Sequence, residues 1–125
     1  MNRIIDKIMM FNIGVNDMDK SKAFYLDRLG LKVIRDIRQG SMHFVTLGLP
    51  GGGASLVLTT AFGDFKPGTM VIQFTTSDIQ TAWEQLNKID AKAVGPIIDD
   101  FHGTGSGVRG FQIYDPDGNN LFIVQ

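Results

Sequence analysis

Histidine and cysteine, the side chains best suited to acid–base, nucleophilic and metal chemistry near neutral pH, are scarce in this sequence. His43 and His102 are the only histidines and cysteine is absent. Thiolate metal sites, disulfides and a cysteine nucleophile are therefore excluded together. His43 stands between Met42 and Phe44 on a strand-like run. It is the one candidate catalytic residue, as a proton donor or acceptor, against the plainer reading of a structural or solvent-facing histidine. His102 opens HGTGSGVRG and Arg109 nearly closes it. The glycines suit a lid as well as an ordinary surface loop, and Arg109 could meet an anionic ligand or remain solvated. A metal held by both histidines with Asp99 or Asp100 is not recommended by any spacing.

Other apparent motifs dissolve on inspection. Asp115 and Asp117 look like paired catalytic carboxylates, yet DPDG is a turn sequence in which Pro116 suits the second position and Gly118 the left-handed exit. Ser106 has glycine directly on both sides, unlike the nucleophile of G-x-S-x-G. LPGGGAS leads into a strand, where a phosphate loop would lead into a helix.

The elements that must position these residues follow from periodicity. Ile8 to Val15 alternates as a strand, and Asn16 and Asp17 can cap a helix over roughly Met18 to Leu29 that Gly30 ends. Strand signals follow at Lys32–Asp36, Met42–Leu47 and Ala54–Thr60. The second half repeats the order. Met70–Thr76 is a strand, Ser77 and Asp78 open a helix with Gln80 completing a capping box, and Ile79, Ala82, Trp83, Leu86 and Ile89 form its apolar stripe. Further strands begin at Ala91–Val94, Gly110–Tyr114 and Leu121–Val124. An offset of 61 carries Asp17 to Asp78, Phe11 to Ile72 and Val33 to Val94, and an offset of 65 carries Gly53 to Gly118 and Leu56 to Leu121. This internal repeat predicts an α+β fold of two modules, about 1–62 and about 68–125, within a single domain 1–125.

Parity assigns the faces. Phe11, Ile13, Val15, Ile72, Phe74, Leu121 and Ile123 are expected beneath the helices, both faces of the first strand being covered. Met10, Asn12, Gly14, Val71, Gln73, Thr75, Asn120, Phe122 and Val124 are expected on the opposite side, lining a cleft. Composition narrows the partners. The chain has 125 residues, a formal net charge of −1, 43% hydrophobic and 20% charged residues. Charges are scattered, so nucleic acid is not expected as a partner. No apolar run approaches the roughly 20 residues of a membrane span and no signal peptide is evident, so no membrane partner and a cytoplasmic location are expected.

The stretches NIGVNDMDKSKAFYLDRLGLKVI, VIQFTTSDIQTAWEQLNK and RGFQIYDPDGNNLFIVQ resemble the vicinal oxygen chelate (VOC) superfamily, the glyoxalase, bleomycin-resistance and extradiol-dioxygenase group. The resemblance implies two βαβββ modules forming an open, cleft-bearing mixed barrel with the helices outside, within one chain or across a homodimer. In the metalloenzymes of that group, His, Glu or Gln on the first and last strand of each module hold a divalent cation. The matching positions here are Met10, seven residues before Asp17, Val71, seven before Asp78, Phe122, seven after Asp115, and Val57 by the repeat. These residues do not suit a hard or borderline cation, so no metal and no cofactor are expected. The resemblance then implies a metal-free member that sequesters a partly apolar small molecule, with Met10, Asn12, Val57, Val71, Gln73, Thr75 and Phe122 lining the cleft and His102 and Arg109 on a lid. The alternatives are a lyase, isomerase or oxygenase with a non-standard site, and a structural or regulatory dimer whose cleft is filled by its own side chains.

Overall fold

A computed structural model describes residues 3–61, 63, 66–90 and 93–125. The chain divides into two units, Met1–Pro67 and Gly68–Gln125. Each builds one small mixed sheet with a helix, so the fold class is α+β.

In unit 1, Asp17 caps the first helix by accepting from the Lys20 amide at 3.2 Å. Helix α1 spans Met18–Ala23 and runs on as a π-helical turn, Phe24–Arg28, where a uniform α-helix to Leu29 was expected. The wider turn brings Phe24 and Tyr25 both into the core, and Leu31 N donates to Tyr25 O at 3.0 Å across the helix end. Gly30, at φ +79°, supplies the left-handed exit. The strands are β1 (Met10–Gly14), β2 (Lys32–Gln39), β3 (Met42–Gly48) and β4 (Ser55–Thr59), in spatial order β1-β4-β3-β2. β1 lies parallel to β4 and the other pairings are antiparallel.

Register places Ile13, Val45, Leu47, Leu56 and Leu58 on one face, all buried. α1 packs along β4 on that face. Met10, Asn12, Thr46, Val57 and Thr59 share the other. The start of β1 is less covered than expected. Phe11 is on the helix side, yet it and Met10 are exposed, because β1 is an edge strand.

Unit 2 follows the same plan with β5 (Val71–Thr75), α2 (Ile79–Ile89), β6 (Gly110–Tyr114) and β7 (Asn120–Val124), in order β5-β7-β6. The N-cap of α2 is Asp78, whose carboxylate accepts from the Thr81 amide at 3.0 Å and its hydroxyl at 2.8 Å. The expected Ser77–Gln80 box is thereby displaced by one residue. Gln125 also meets this helix start, its Nε2 donating to the Ser77 backbone carbonyl and its Oε1 accepting from Ile79 N. Of the apolar stripe of α2, Ile79 and Leu86 are buried and Ile89 is exposed. Trp83 is half-buried and donates through Nε1 to Gly95 O at 2.9 Å.

The strand expected from Ala91 is not regular. Ala91 and Lys92 lie outside the described residues, and the segment meets β6 only through bridges at Val94–Ile113 and Ile98–Gly110. These bridges complete the repeat in three dimensions. Val33 pairs with Leu47 as Val94 pairs with Ile113, and Ile37 pairs with Phe44 as Ile98 pairs with Gly110. Likewise Asn12 pairs with Val57 as Gln73 pairs with Phe122.

Candidate ligand-binding faces

The residues predicted to line a cleft share, unit by unit, the sheet face away from the helix. In unit 1 this face carries Met10, Asn12 and Val57, and in unit 2 Val71, Gln73, Thr75 and Phe122. Their burial is uneven. Val57 is 4% exposed, whereas Met10 is 39% and Val71 59% exposed. Phe122 is half-buried beneath Phe101, with ring centroids 5.2 Å apart in an edge-to-face arrangement.

The loop Asp99–Arg109 accounts for that cover. His102 Nε2 donates to Gln73 Oε1 at 2.8 Å, reaching β5 from the loop. Arg109 Nε pairs with Asp99 Oδ1 at 3.0 Å and ties the two ends together. Inside the loop, Asp100 adopts φ +52° and its carboxylate accepts from the Gly105 amide, while Phe101 N donates to Val108 O at 2.7 Å. Farther along the same sheet face, the Gln112 amide donates to Tyr114 Oη at 3.0 Å and to Asn120 Oδ1 at 2.5 Å. Gln73, Thr75, Gln112, Tyr114, Asn120, Phe122 and Val124 share this face, so it is aromatic and amide-rich with no charged side chain on its strands.

His43 belongs to a different surface. Register puts it with Val45 and Leu47 on the helix side of β3, where its Nε2 donates to Asp36 Oδ1 at 2.6 Å. Lys22 of α1 reaches Asp36 Oδ2 at 3.2 Å. The His43 hydrogen bond, followed by those to Lys22, holds the Asp36 carboxyl below its ordinary value of 3.8 despite some desolvation. The histidine therefore stands across the sheet from Met10, Asn12 and Val57.

Asp115 and Asn119, both buried, organise the DPDGN turn. Asp115 Oδ1 accepts from the amides of Asp117 and Asn119, and Oδ2 accepts from Asn119 Nδ2 at 2.7 Å. Asn119 Oδ1 in turn accepts from Met70 N at 2.8 Å, which fixes the start of β5 beside β7. Sequence patterning did not single out Asn119, Phe101 or Gln112. The repeat carries a signal for Phe101, because the position of Phe44 in unit 1 is a glycine, Gly110, in unit 2.

The VOC metal positions do not suit a metal. Met10 and Val57 in unit 1, and Val71 and Phe122 in unit 2, offer one thioether and no oxygen or nitrogen side-chain donor. Among the described residues, no three His, Cys, Asp or Glu side chains come together as a cation site.

Fold and site together define a duplicated βαβββ protein with one non-helix sheet face per unit. The family model described as Glyoxalase/Bleomycin resistance protein/Dioxygenase superfamily matches residues 4–123, and the chain belongs to that superfamily. A Synechocystis protein named "Probable lactoylglutathione lyase" is 32% identical over 124 residues, with 90% of each chain covered. A member of the superfamily from Sphaerobacter thermophilus is 29% identical, with a TM-score of 0.78 over 96% of this chain and 97% of that one. TnmS3, an antibiotic binding protein from Streptomyces sp. CB03234, shares the fold with a TM-score of 0.83 at 23% identity, covering 98% of this chain and 97% of that one. No helix among the described residues is long and apolar enough to cross a membrane.

Proposed function

We propose that this protein binds a partly apolar small molecule, of the antibiotic or toxin kind, without a metal, and acts by sequestering it. The observation that carries this reading is the replacement of donor side chains at all four VOC metal positions by Met10, Val57, Val71 and Phe122. Apolar and aromatic walls with a few amides bind ligands through burial and orientation rather than through a Lewis acid. The antibiotic binding of TnmS3, whose fold this chain shares, supports the same direction.

A lyase is the second reading, favoured by the 32% identity to the Synechocystis protein. Calorimetric titration with bleomycin and with doxorubicin, in the presence and absence of EDTA, separates the two. Sequestration predicts stoichiometric binding that EDTA leaves unchanged. Binding or lactoylglutathione formation that EDTA abolishes and nickel or zinc restores would replace sequestration with the lyase.

A further inference from the structure

The two units differ at one pairing. In unit 1, Ile37 faces Phe44, whose ring stands on the sheet face that also carries Thr46 and Val57. In unit 2 the matching pair is Ile98 and Gly110, and the ring is missing from the strand. The place is nevertheless filled. A Cβ built on Gly110 would lie 2.7 Å from Cγ of Phe101 and 3.0 Å from Cγ1 of Val124. Phe101 therefore lies where a β6 side chain would begin, with its ring against Phe122. Unit 1 spans the interval between its paired residues with Arg38–His43, six residues, and unit 2 with Asp99–Arg109, eleven residues. The longer loop delivers from outside the sheet the ring that unit 1 carries on the strand.

A ring on a strand is fixed by the strand, whereas a ring on a loop leaves when the loop does. The loop has few ties to the sheet. Beyond the Ile98–Gly110 bridge and the backbone bonds between Arg109 and Gln125, its contacts with the sheet include the side-chain hydrogen bond from His102 to Gln73 and the packing of Phe101. Its own closure uses Asp100 at φ +52° and left-handed Gly103, Gly105 and Gly107, a conformation that a non-glycine residue such as Asp100 adopts at some cost.

We infer that Gly110, Phe122 and Val124 form a subsite for an uncharged aromatic ring, occupied by Phe101 in the ligand-free protein and vacated when the loop lifts. The strand side chains on this face are uncharged, so a charged ring would lose hydration there without gaining an ionic partner. Gln73, released from His102, and Gln112 are the amides beside the ring. This inference rests on the proposed binding function and goes beyond it by naming an internal competitor. With an internal competitor, apparent affinity falls by the fraction of molecules in which the subsite is open.

The test uses the neutral fluorescent probe N-phenyl-1-naphthylamine with the full chain and three variants, each checked for folding by circular dichroism. If the loop is closed in about nine molecules in ten, Phe101→Ala binds the probe about tenfold more tightly than the parent. His102→Ala, which loosens the latch and keeps the ring, should fall between them. Adding Phe122→Ala to Phe101→Ala should cancel the gain by removing the subsite wall. In the parent, probe binding should speed hydrogen exchange at residues 101–108. Equal binding by parent and Phe101→Ala, with unchanged exchange, would overturn the internal competitor and leave the binding function standing. Weaker binding by Phe101→Ala would make Phe101 a ligand contact and overturn the inference. No probe binding by any variant would overturn the subsite, and the proposed function would fall as well only if bleomycin and doxorubicin also failed to bind the parent.

Discussion

Units 1 and 2 pair their first and last strands alike, and β2 of unit 1 is reduced to two bridges in unit 2, yet they also treat their outer faces differently. In unit 1 the central strand β4 is covered on both sides, with Leu56, Val57, Leu58 and Thr59 all buried, and the residues of its turn PGGG carry no hydrogen-bonding side chain of their own. In unit 2 the equivalent β7 alternates, with Leu121 and Ile123 buried and Phe122 and Val124 half-open, and its turn is braced by Asp115 and Asn119. Duplication preserved the backbone plan, and divergence acted on the face away from the helix. One unit has its central strand fixed by burial, and the other covers its strand with a loop.

The largest expected contrast lies in the turns. Asp115→Ala strands buried donors of Asn119 and should lower stability by about 3 kcal/mol in urea unfolding, within the range for buried polar groups that lose their partners. The matching turn in unit 1, PGGG, has no carboxylate or amide side chain of its own, and Gly52→Ala there, at φ +82° with open space around it, should cost only about 1 kcal/mol from backbone strain. Equal losses would mean that the two turns are braced alike.

A smaller contrast is expected at the VOC metal positions. Val57→Asn places an amide at a 4% exposed site and should cost about 2 kcal/mol. Val71→Asn, at a 59% exposed site, should cost under about 0.5 kcal/mol by the same measurement. A large loss at Val71 would show that the face of unit 2 is covered in solution.

The smallest effect concerns charge. Because the folded Asp36 carboxyl titrates below 3.8, its contribution to stability is present above that value and lost as pH falls through the lower folded value. Asp36→Asn should therefore be less stable than the parent by under about 1 kcal/mol at neutral pH, since the pair with Lys22 is partly exposed. The gap should close on acidification below 3.8. A gap that widened in acid would contradict the assigned ion pair. In unit 2, hydrogen bonds from the Thr81 amide and then its hydroxyl likewise hold Asp78 low, so Asp78→Asn should show the same sign of acid response in melting temperature.

Much of this was legible in the sequence because period and spacing carry it. Alternation located β1, β3, β5 and β7, and the offset between halves matched the pairing of Asn12 with Val57 to that of Gln73 with Phe122. Helix ends were read less well. Ser77 with Gln80 and Asp78 with Thr81 are both capping patterns one residue apart, and only the bond from the Thr81 amide to the Asp78 carboxylate shows which one caps the helix. The π-helical turn at Phe24 leaves no mark in a periodicity so short. His43 was placed on a strand, but its partner Asp36 reaches the same side as Val45 only after a bulge between Val33 and Arg35, which is a fact of three-dimensional pairing. Phe101 escaped because loops have no period, and its partner is a glycine on a strand ahead in sequence.

Metal-free binding by this member of the superfamily is decided by elemental analysis of the purified protein, repeated after incubation with nickel, zinc, iron and manganese. Met10, Val57, Val71 and Phe122 predict sub-stoichiometric metal in every sample and an unchanged melting temperature. One equivalent of a divalent metal, accompanied by a rise in melting temperature, would contradict the account.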